Sequence, residues 1–389
     1  MEKLFSSYLK LGIIAGGQLG KMLIQEASKW DISTYILDPE PNCPAGKIAT
    51  GYTQGDILNF DDVYNFGKQV DILTFEIENV NTEALKKLQQ EGVLIAPDPT
   101  ILELIQDKGL QKLFYQKHRL PTSPFILAEN IDKIKQKIEQ QEIQFPFVQK
   151  LRKGGYDGRG VAVIKSKDDL DKLLPGASVI EELVDIKKEI AVIVARNKKG
   201  ETKCFPAVEM EFHPEANLVE KLICPSSISD QQKKIAEELA IQLISKLNME
   251  GLLAVEFFID NYDNVIINEV APRPHNSGHH TIESIITSQF EQHLRAILNL
   301  PLGSTEQKLP AVMLNLLGEE NFKGHVYYQG LEKALAIEGV KIHLYGKKIT
   351  RPGRKMGHIT VIGKSIETVI DKANKVKNTI QVIAKPNEL

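Results

Sequence analysis

Two glutamates set inside apolar runs are the residues best suited to chemistry. Glu256 stands in GLLAVEFFID and Glu269 in VIINEVAPR. A lone carboxylate is costly to bury in such surroundings, and two on adjacent strands repel unless a cation lies between them. Mg2+ wants oxygen ligands and usually takes one or two carboxylates plus phosphate oxygens. Asn268, beside Glu269, could add an oxygen. Two solvent-facing carboxylates on edge strands are the plainer alternative, and the flanking Val, Phe and Ile weigh against it. Glu269 leads straight into APRPHNSGHH. Prolines fix that loop, and Arg273, His275, Asn276 and Ser277 offer anion and hydrogen-bond contacts. Its three histidines raise a zinc alternative, but with no HExxH and no cysteine nearby the carboxylates point to magnesium.

Two glycine turns come earlier. Ala15-Gly16-Gly17-Gln18-Leu19-Gly20 follows a strand and opens a helix, where backbone N–H groups can approach an anion. It is neither a clean GxGxxG nor a P-loop, and reads equally as a tight turn. The run from Lys150 to Gly160, KLRKGGYDGRG, is richer. Free N–H groups among Lys and Arg suit a triphosphate, and flanking strands would make the run a flap over it. A solvated hairpin tip needs fewer glycines. Glu181 and Glu182, which follow a strand, and Glu189 could face adenine or ribose, although surface glutamates are common. Five cations between Lys347 and Lys355 would suit a substrate phosphate; a solvated basic loop explains them as well.

These residues need elements to hold them. Short apolar strands at 9–15, 33–37, 71–75 and 93–96 alternate with helical spacing at 18–29 and 82–90, which predicts a parallel α/β sheet over residues 1–104. A helical stretch over 101–120 connects it to a small unit ending near 178. That unit has strands at 147–150 and 161–164 and a helix at 167–174, and reads as a lid. From 179 to 389 strands dominate, with helices predicted at 230–247, 283–298 and 365–382. The class is thus α/β followed by α+β. No repeat or low-complexity segment is present.

The 389 residues carry a net charge of −3, with 42% hydrophobic and 25% charged. That composition suits a globular enzyme and gives no electrostatic reason to expect nucleic acid or an anionic membrane. Cys43, Cys204 and Cys224 form no CxxC pair and no disulfide framework, so a reducing compartment, the cytoplasm, is expected. No apolar run is long enough to span a membrane.

Taken together, the order of motifs resembles the ATP-grasp superfamily and, within it, the N5-carboxyaminoimidazole ribonucleotide synthase family. GGQLGKM, TFEIENV, KLRKGGYDGRG, EELVDIKKE, VEFFID, NEVAPRPHNSGH and RPGRKMGH carry the resemblance from about residue 16 to 358. It implies an ATP-grasp fold behind a Rossmann-like preATP-grasp domain, and carboxylation of aminoimidazole ribonucleotide with ATP and bicarbonate through carboxyphosphate. ATP would meet Lys108, Lys150, Gly155, Tyr156, Asp157, Gly158, Arg159, Gly160, Val161, Glu181, Glu182, Leu183, Val184, Glu189, His213, Asn268 and Glu269. Two Mg2+ ions are the expected complement, held by Glu256 and Glu269. The ribonucleotide would meet Gln18, Glu76, Tyr156, Asp157, Arg273, His275 and Asn276, with Ser277 beside them and its phosphate on Lys347, Arg354 and Lys355. Asp157 is the candidate for the amine proton. The resemblance also implies a homodimer. Four positions depart from the family's usual residues: Ala15 (Gly), Lys21 (Arg), Lys108 (Arg) and His280 (Trp). The rival readings are a formate-dependent glycinamide ribonucleotide transformylase, a biotin carboxylase and a nucleotide-binding regulator without turnover. PRPHNSGH and RPGRKMGH argue against the first two, and the carboxylate pair against the third.

Overall fold

The computed structural model describes residues 6–155, 160–212 and 218–385. Strands β1 (Lys10–Ile14), β2 (Ser33–Asp38), β3 (Gly51–Gln54), β4 (Ile72–Phe75) and β5 (Leu94–Ile95) form a parallel sheet ordered β3-β2-β1-β4-β5. Parallel neighbours need crossovers; α1 (Gln18–Ala27), α2 (Phe60–Gly67) and α3 (Thr82–Gln90) lie in three of the connections, and residues 39–50 join β2 to β3 without a helix. Every residue of β4 is buried, as expected of a strand covered on both faces. The strand order reverses between β1 and β4. Their carboxyl ends therefore open a crevice of the kind in which such sheets bind ligands. Gly16-Gly17 and Glu76 lie at that point. The sequence reading omits β3 and α2: GYTQ is short and only partly buried, so it lacks the apolar run that marks β1 and β4.

The connecting stretch is two helices, α4 (Pro99–Gln106) and α5 (Lys108–Lys117), not one. Asp107 breaks it. Its backbone is extended, and its carboxylate caps α5 by accepting from the N–H groups of Gly109 and Leu110, as an N-cap aspartate does. Next come β6 (Phe125–Ala128), α6 (Ile131–Glu139), β7 (Phe147–Leu151), β8 (Val161–Ile164) and β9 (Ser178–Glu182). The strands form an antiparallel sheet ordered β6-β9-β7-β8. Lys167–Lys172 is a 3-10 turn where a helix is predicted. The small sheet continues to Glu182, past the boundary at 178 drawn from sequence.

A larger sheet follows, with nine strands among the described residues. β10 (Ile186–Arg196), β11 (Thr202–Cys204), β12 (Val208–Phe212), β13 (Val219–Cys224), β14 (Gly251–Asp260) and β15 (Val265–Ala271) belong to it. Helix α7 (Asp230–Lys246) covers one face. There Ile190, Val192 and Val194 meet Ala236, Ala240 and Leu243 in one core, each large apolar side chain contributing about 1.5–3 kcal/mol. Period-2 alternation turns Glu189, Ala191 and Ile193 to the other face. The helix predicted at 283–298 is two pieces, α8 (Thr281–Ser284) and α9 (Gln289–Ile297); Ser288 caps the second.

The sheet continues through β16 (Ala311–Leu317), and β18 (Val340–Leu344) and β20 (Lys355–Ile362) complete it, while β17 (Gly324–Gln329) and β19 (Ile349–Thr350) belong to a separate small sheet and α10 (Leu331–Leu335) lies between β17 and β18. Helix α11 (Ile366–Lys377) packs on this end; it stops before the predicted 382, and the chain returns as β21 (Gln381–Ala384). No helix among the described residues is long and apolar enough to cross a membrane.

Candidate active site

Glu256 on β14 and Glu269 on β15 are directly opposite in antiparallel register. The pairing runs Ile259 with Val265, Phe258 with Ile266, Phe257 with Ile267, and then Glu256 with Glu269. Asn268 is therefore an extra residue, a β-bulge of the kind that re-aims side chains beside functional sites. Strict alternation would send Asn268 and Glu269 to opposite faces. The bulge brings both into one small cavity, lined also by Lys108, Lys150 and Glu181. Glu189 lies on the same face of β10 as Ala191, which is the register partner of Glu256.

Each carboxylate has a different electrostatic fate. Burial pushes the Glu256 carboxyl up, and the charges of Glu269 and Glu189 add to the shift. The Lys108 ammonium pairs with Glu269 and holds it below the usual range. Burial raises Glu189 to about 7, with Lys150 opposing and Glu269 adding. His275 places Nε2 3.6 Å from Glu256 Oε1. Paired hard oxygens under mutual repulsion, with phosphate-ready lysines beside them, are a donor set that fits Mg2+.

The lysines are held in turn. Lys150 Nζ, on β7, donates to Asn268 Oδ1 at 2.8 Å and lies 3.1 Å from Glu181 Oε2. Lys112 lies 3.2 Å from the other Glu181 oxygen and donates to Thr122 Oγ1 and Ser123 Oγ at 2.6 and 2.9 Å. Burial favours a neutral Glu181, but Lys150 and Lys112 outweigh it and hold the carboxyl low. Serving two ammoniums, Glu181 cannot fully support either; burial pushes Lys112 down to about 8. Glu182 and Leu183 are exposed, and Val184 is partly buried between β9 and β10.

The described ends of the glycine run are turned by Gly154 and Gly160, with φ of +78° and +77°, a region L-residues avoid. Leu151 N–H donates to Gly160 O across the base at 2.8 Å, and Gly155 and Val161 flank the turn. Tyr156, Asp157, Gly158, Arg159 and His213 lie outside the described residues. At the base of the run Arg152 makes a two-point bond to Asp107, Nε–Oδ1 2.8 Å and Nη2–Oδ2 2.7 Å, while Lys108 N–H donates to Arg152 O at 2.9 Å.

A second group faces the crevice. Glu76 accepts from the N–H groups of Gly17 and Gly20 at the start of α1, which Gln18 opens. A Cβ on Gly17 would collide with Glu76 Oε1. Burial nevertheless raises the Glu76 carboxyl. Beyond β15, His275 N–H donates to Gln289 Oε1, and Gln289 Nε2 donates back to His275 O, both at 2.8 Å. His275 Nδ1 is 2.9 Å from Ser277 Oγ, and Asn276 exchanges amide bonds with Asn315 at 2.9 and 3.0 Å. Arg273 Nη2 pairs with Glu78 at 2.8 Å. Lys347 Nζ donates to Lys355 O at 2.9 Å and Arg354 Nη1 to Ile349 O at 2.7 Å. The Lys355 charge is felt at Glu256.

Three family models match in sequence: a ribonucleotide synthetase preATP-grasp domain over residues 8–106, an ATP-grasp domain over 113–290, and a phosphoribosylaminoimidazole carboxylase C-terminal domain over 311–372. The crystal structure of N5-carboxyaminoimidazole ribonucleotide synthetase from Thermotoga maritima is 44% identical, with a TM-score of 0.89, and the match covers 97% of this chain and 100% of that one. The chain belongs to the N5-carboxyaminoimidazole ribonucleotide synthase family. Another of the family's solved structures, from Aspergillus clavatus in complex with ADP and 5-aminoimidazole ribonucleotide, is 32% identical with a TM-score of 0.86, covering 95% and 98% of the two chains. The chloroplastic phosphoribosylaminoimidazole carboxylase of Vigna aconitifolia is 37% identical over 368 residues. That match covers 92% of this chain and only 65% of the plant protein.

The positions at which this chain departs from the N5-carboxyaminoimidazole ribonucleotide synthase pattern are accommodated locally. Ala15 adopts φ +68°. His280 is buried, its Nδ1 2.7 Å from Ser284 Oγ. Lys21 Nζ donates to Leu344 O and Tyr345 O at 2.9 and 3.3 Å. Sequence reasoning missed Lys112, Asp107 and Glu78, and read Arg152 as one of the cations of the glycine run, not as the partner of Asp107. Lys112 gave no signal in the sequence, and the structure shows why. Helix α5 exposes Leu110 and Leu113 and buries Gln111 and Lys112, the reverse of an amphipathic helix.

Proposed function

We propose that this chain carboxylates 5-aminoimidazole ribonucleotide with bicarbonate and ATP, giving N5-carboxyaminoimidazole ribonucleotide, ADP and phosphate in purine synthesis. The register-paired Glu256 and Glu269, with Lys108 and Lys150 beside them, carry the reading. Family membership, and a relative solved with ADP and 5-aminoimidazole ribonucleotide, support it.

Bicarbonate attacks the γ-phosphorus as the bond to ADP breaks, giving carboxyphosphate. Charge builds on the phosphoryl oxygens, where Lys108 and Lys150 act as fixed counter-charges. Magnesium bound through Glu256 and Glu269, two ions in our reading, would neutralise further phosphate charge. Glu182, Leu183 and Val184 are assigned to adenine and ribose, while Glu181 holds Lys150 and Lys112 beside the carboxylates. Carboxyphosphate splits to CO2 and phosphate, and the substrate's exocyclic amine adds to CO2 and releases a proton. We assign that proton to Asp157. The flap from Lys150 to Val161 shields the intermediate from water. Arg273, His275 and Asn276 orient the ribonucleotide from one wall and Glu76 with Gln18 from the other, with Lys347, Arg354 and Lys355 on its phosphate. A homodimer in the cytoplasm is supported by the resemblance alone, and sedimentation of the purified chain tests the dimer.

The test is ADP release with Mg2+, ATP and bicarbonate, with and without 5-aminoimidazole ribonucleotide. Strong stimulation is expected. ATP binding without stimulation would discard this substrate. Asp157→Asn should impair carboxylation far more than ATP binding, and equal loss of both would remove Asp157 from the proton's path.

A further inference from the structure

The loop after β4 carries two carboxylates, Glu76 and Glu78, and the second has a partner on the opposite wall of the crevice. Glu78 Oε1 lies 2.8 Å from Arg273 Nη2. Both side chains are mostly withdrawn from solvent, at 25% and 17% exposure. Arg273 Nη1 donates to Pro274 O at 3.1 Å, and its Nε is buried with no partner. A guanidinium has five N–H groups. Two are thus committed, and three are left, one of them in an enclosed position.

Glu78 is itself fixed. Gln106 Nε2, at the end of α4, donates to Glu78 O at 2.8 Å and Val80 O at 3.1 Å, and Val80 N–H donates to Glu78 O at 3.0 Å. Arg273 stands four residues past Glu269, and the carboxylate it pairs with is Glu78 of the loop after β4. Its charge is also felt at Glu76. A counter-charge on the far wall keeps the guanidinium across the crevice.

We infer that Glu78 is a positioning residue for carboxylation. It orients Arg273, on the wall assigned to the ribonucleotide, so that its uncommitted Nη N–H groups also meet the carboxylate-type reactant beside that substrate, bicarbonate or the carboxyphosphate derived from it. Planar N–H pairs match that group in geometry and charge. The inference rests on the proposed carboxylation, and the experiment separates the two. Wild type is first assayed for ADP release stimulated by 5-aminoimidazole ribonucleotide; lack of stimulation defeats the carboxylation reading itself. With stimulation in hand, Glu78→Ala should lower stimulated turnover at least 30-fold, chiefly in kcat, while MgATP affinity measured by titration stays within twofold. Glu78→Gln, which keeps an oxygen for Nη2, should recover at least tenfold of the loss. Glu78→Ala turnover within threefold of wild type, loss of MgATP affinity in proportion to turnover, or a Gln variant as poor as the Ala variant would each overturn the role.

Discussion

Ala15 holds a left-handed conformation that the Cβ of an L-residue disfavours by roughly 1–2 kcal/mol. It does so because the chain must turn from β1 into α1 within two residues of the amides that hold Glu76. Replacing it with glycine relieves the clash and adds chain entropy to the unfolded state. The expected net gain is roughly 0.5–1 kcal/mol, read as a higher urea midpoint with unchanged turnover. An unchanged midpoint would show that the turn carries no strain. Glu256→Gln should split stability from function. It removes a carboxyl that burial and the charges of Glu269 and Glu189 hold above its ordinary range, and so removes the cost of protonating it on folding; the protein without nucleotide or metal should gain about 1 kcal/mol. ATP turnover should fall ~100-fold or more. A lower melting temperature for that variant would mean that Glu256 is not under repulsion. Glu256, Glu269 and the glycine run were legible in the sequence because their types are out of place: charge within apolar strands, and more glycine than a hairpin needs. Lys112 and Glu78 were not. A lysine in a helix and a glutamate in a loop look at home on a surface, and only the three-dimensional packing buries the first and half-buries the second.

At the scale of elements, what escaped the sequence is irregularity. Alternation located β14 and β15 but gave no sign of the bulge at Asn268, because a one-residue insertion changes pairing without changing composition. Apolar spacing ran across Asp107 as though α4 and α5 were continuous, although the aspartate is a cap. The parallel sheet of the first domain was legible because fully buried strands are unbroken apolar runs; β3, half-exposed, was not. The Asp107–Arg152 bond ties the base of the glycine run to the connecting helices, and burial notwithstanding, Arg152 holds the Asp107 carboxyl low. Lysine cannot reproduce a two-point contact. Arg152→Lys should therefore weaken MgATP binding by about tenfold, equivalent to ~1.4 kcal/mol, with little change in melting temperature. Affinity equal to the parent's would show that the bond does not govern the flap.

For the molecule as a whole, the buried histidines set the response to acid. Burial depresses His279 and His358 well below the ordinary range and His280 and His293 to about 3. For His279 the charges of His275, Lys355, His343 and His280 act in the same direction. A depressed folded value means that the unfolded chain takes up protons first. Stability is complete above about pH 6.5 and is lost as pH falls toward 3, by up to ~1.4 kcal/mol per histidine per pH unit. The urea midpoint should drop clearly between pH 7.5 and 5.5; a flat profile would contradict neutral burial of these rings. The contacts of Gln106, Asp107 and Lys108 have a different consequence. Gln106 grips the crevice loop, Asp107 the base of the flap, and Lys108 the carboxylate of Glu269. Their Cα atoms are spaced about 3.8 Å apart by trans peptide bonds, so the three contacts share one mechanical coordinate. Displacing any one is expected to shift the others, so the proposed nucleotide, metal and ribonucleotide sites would be joined through three consecutive residues.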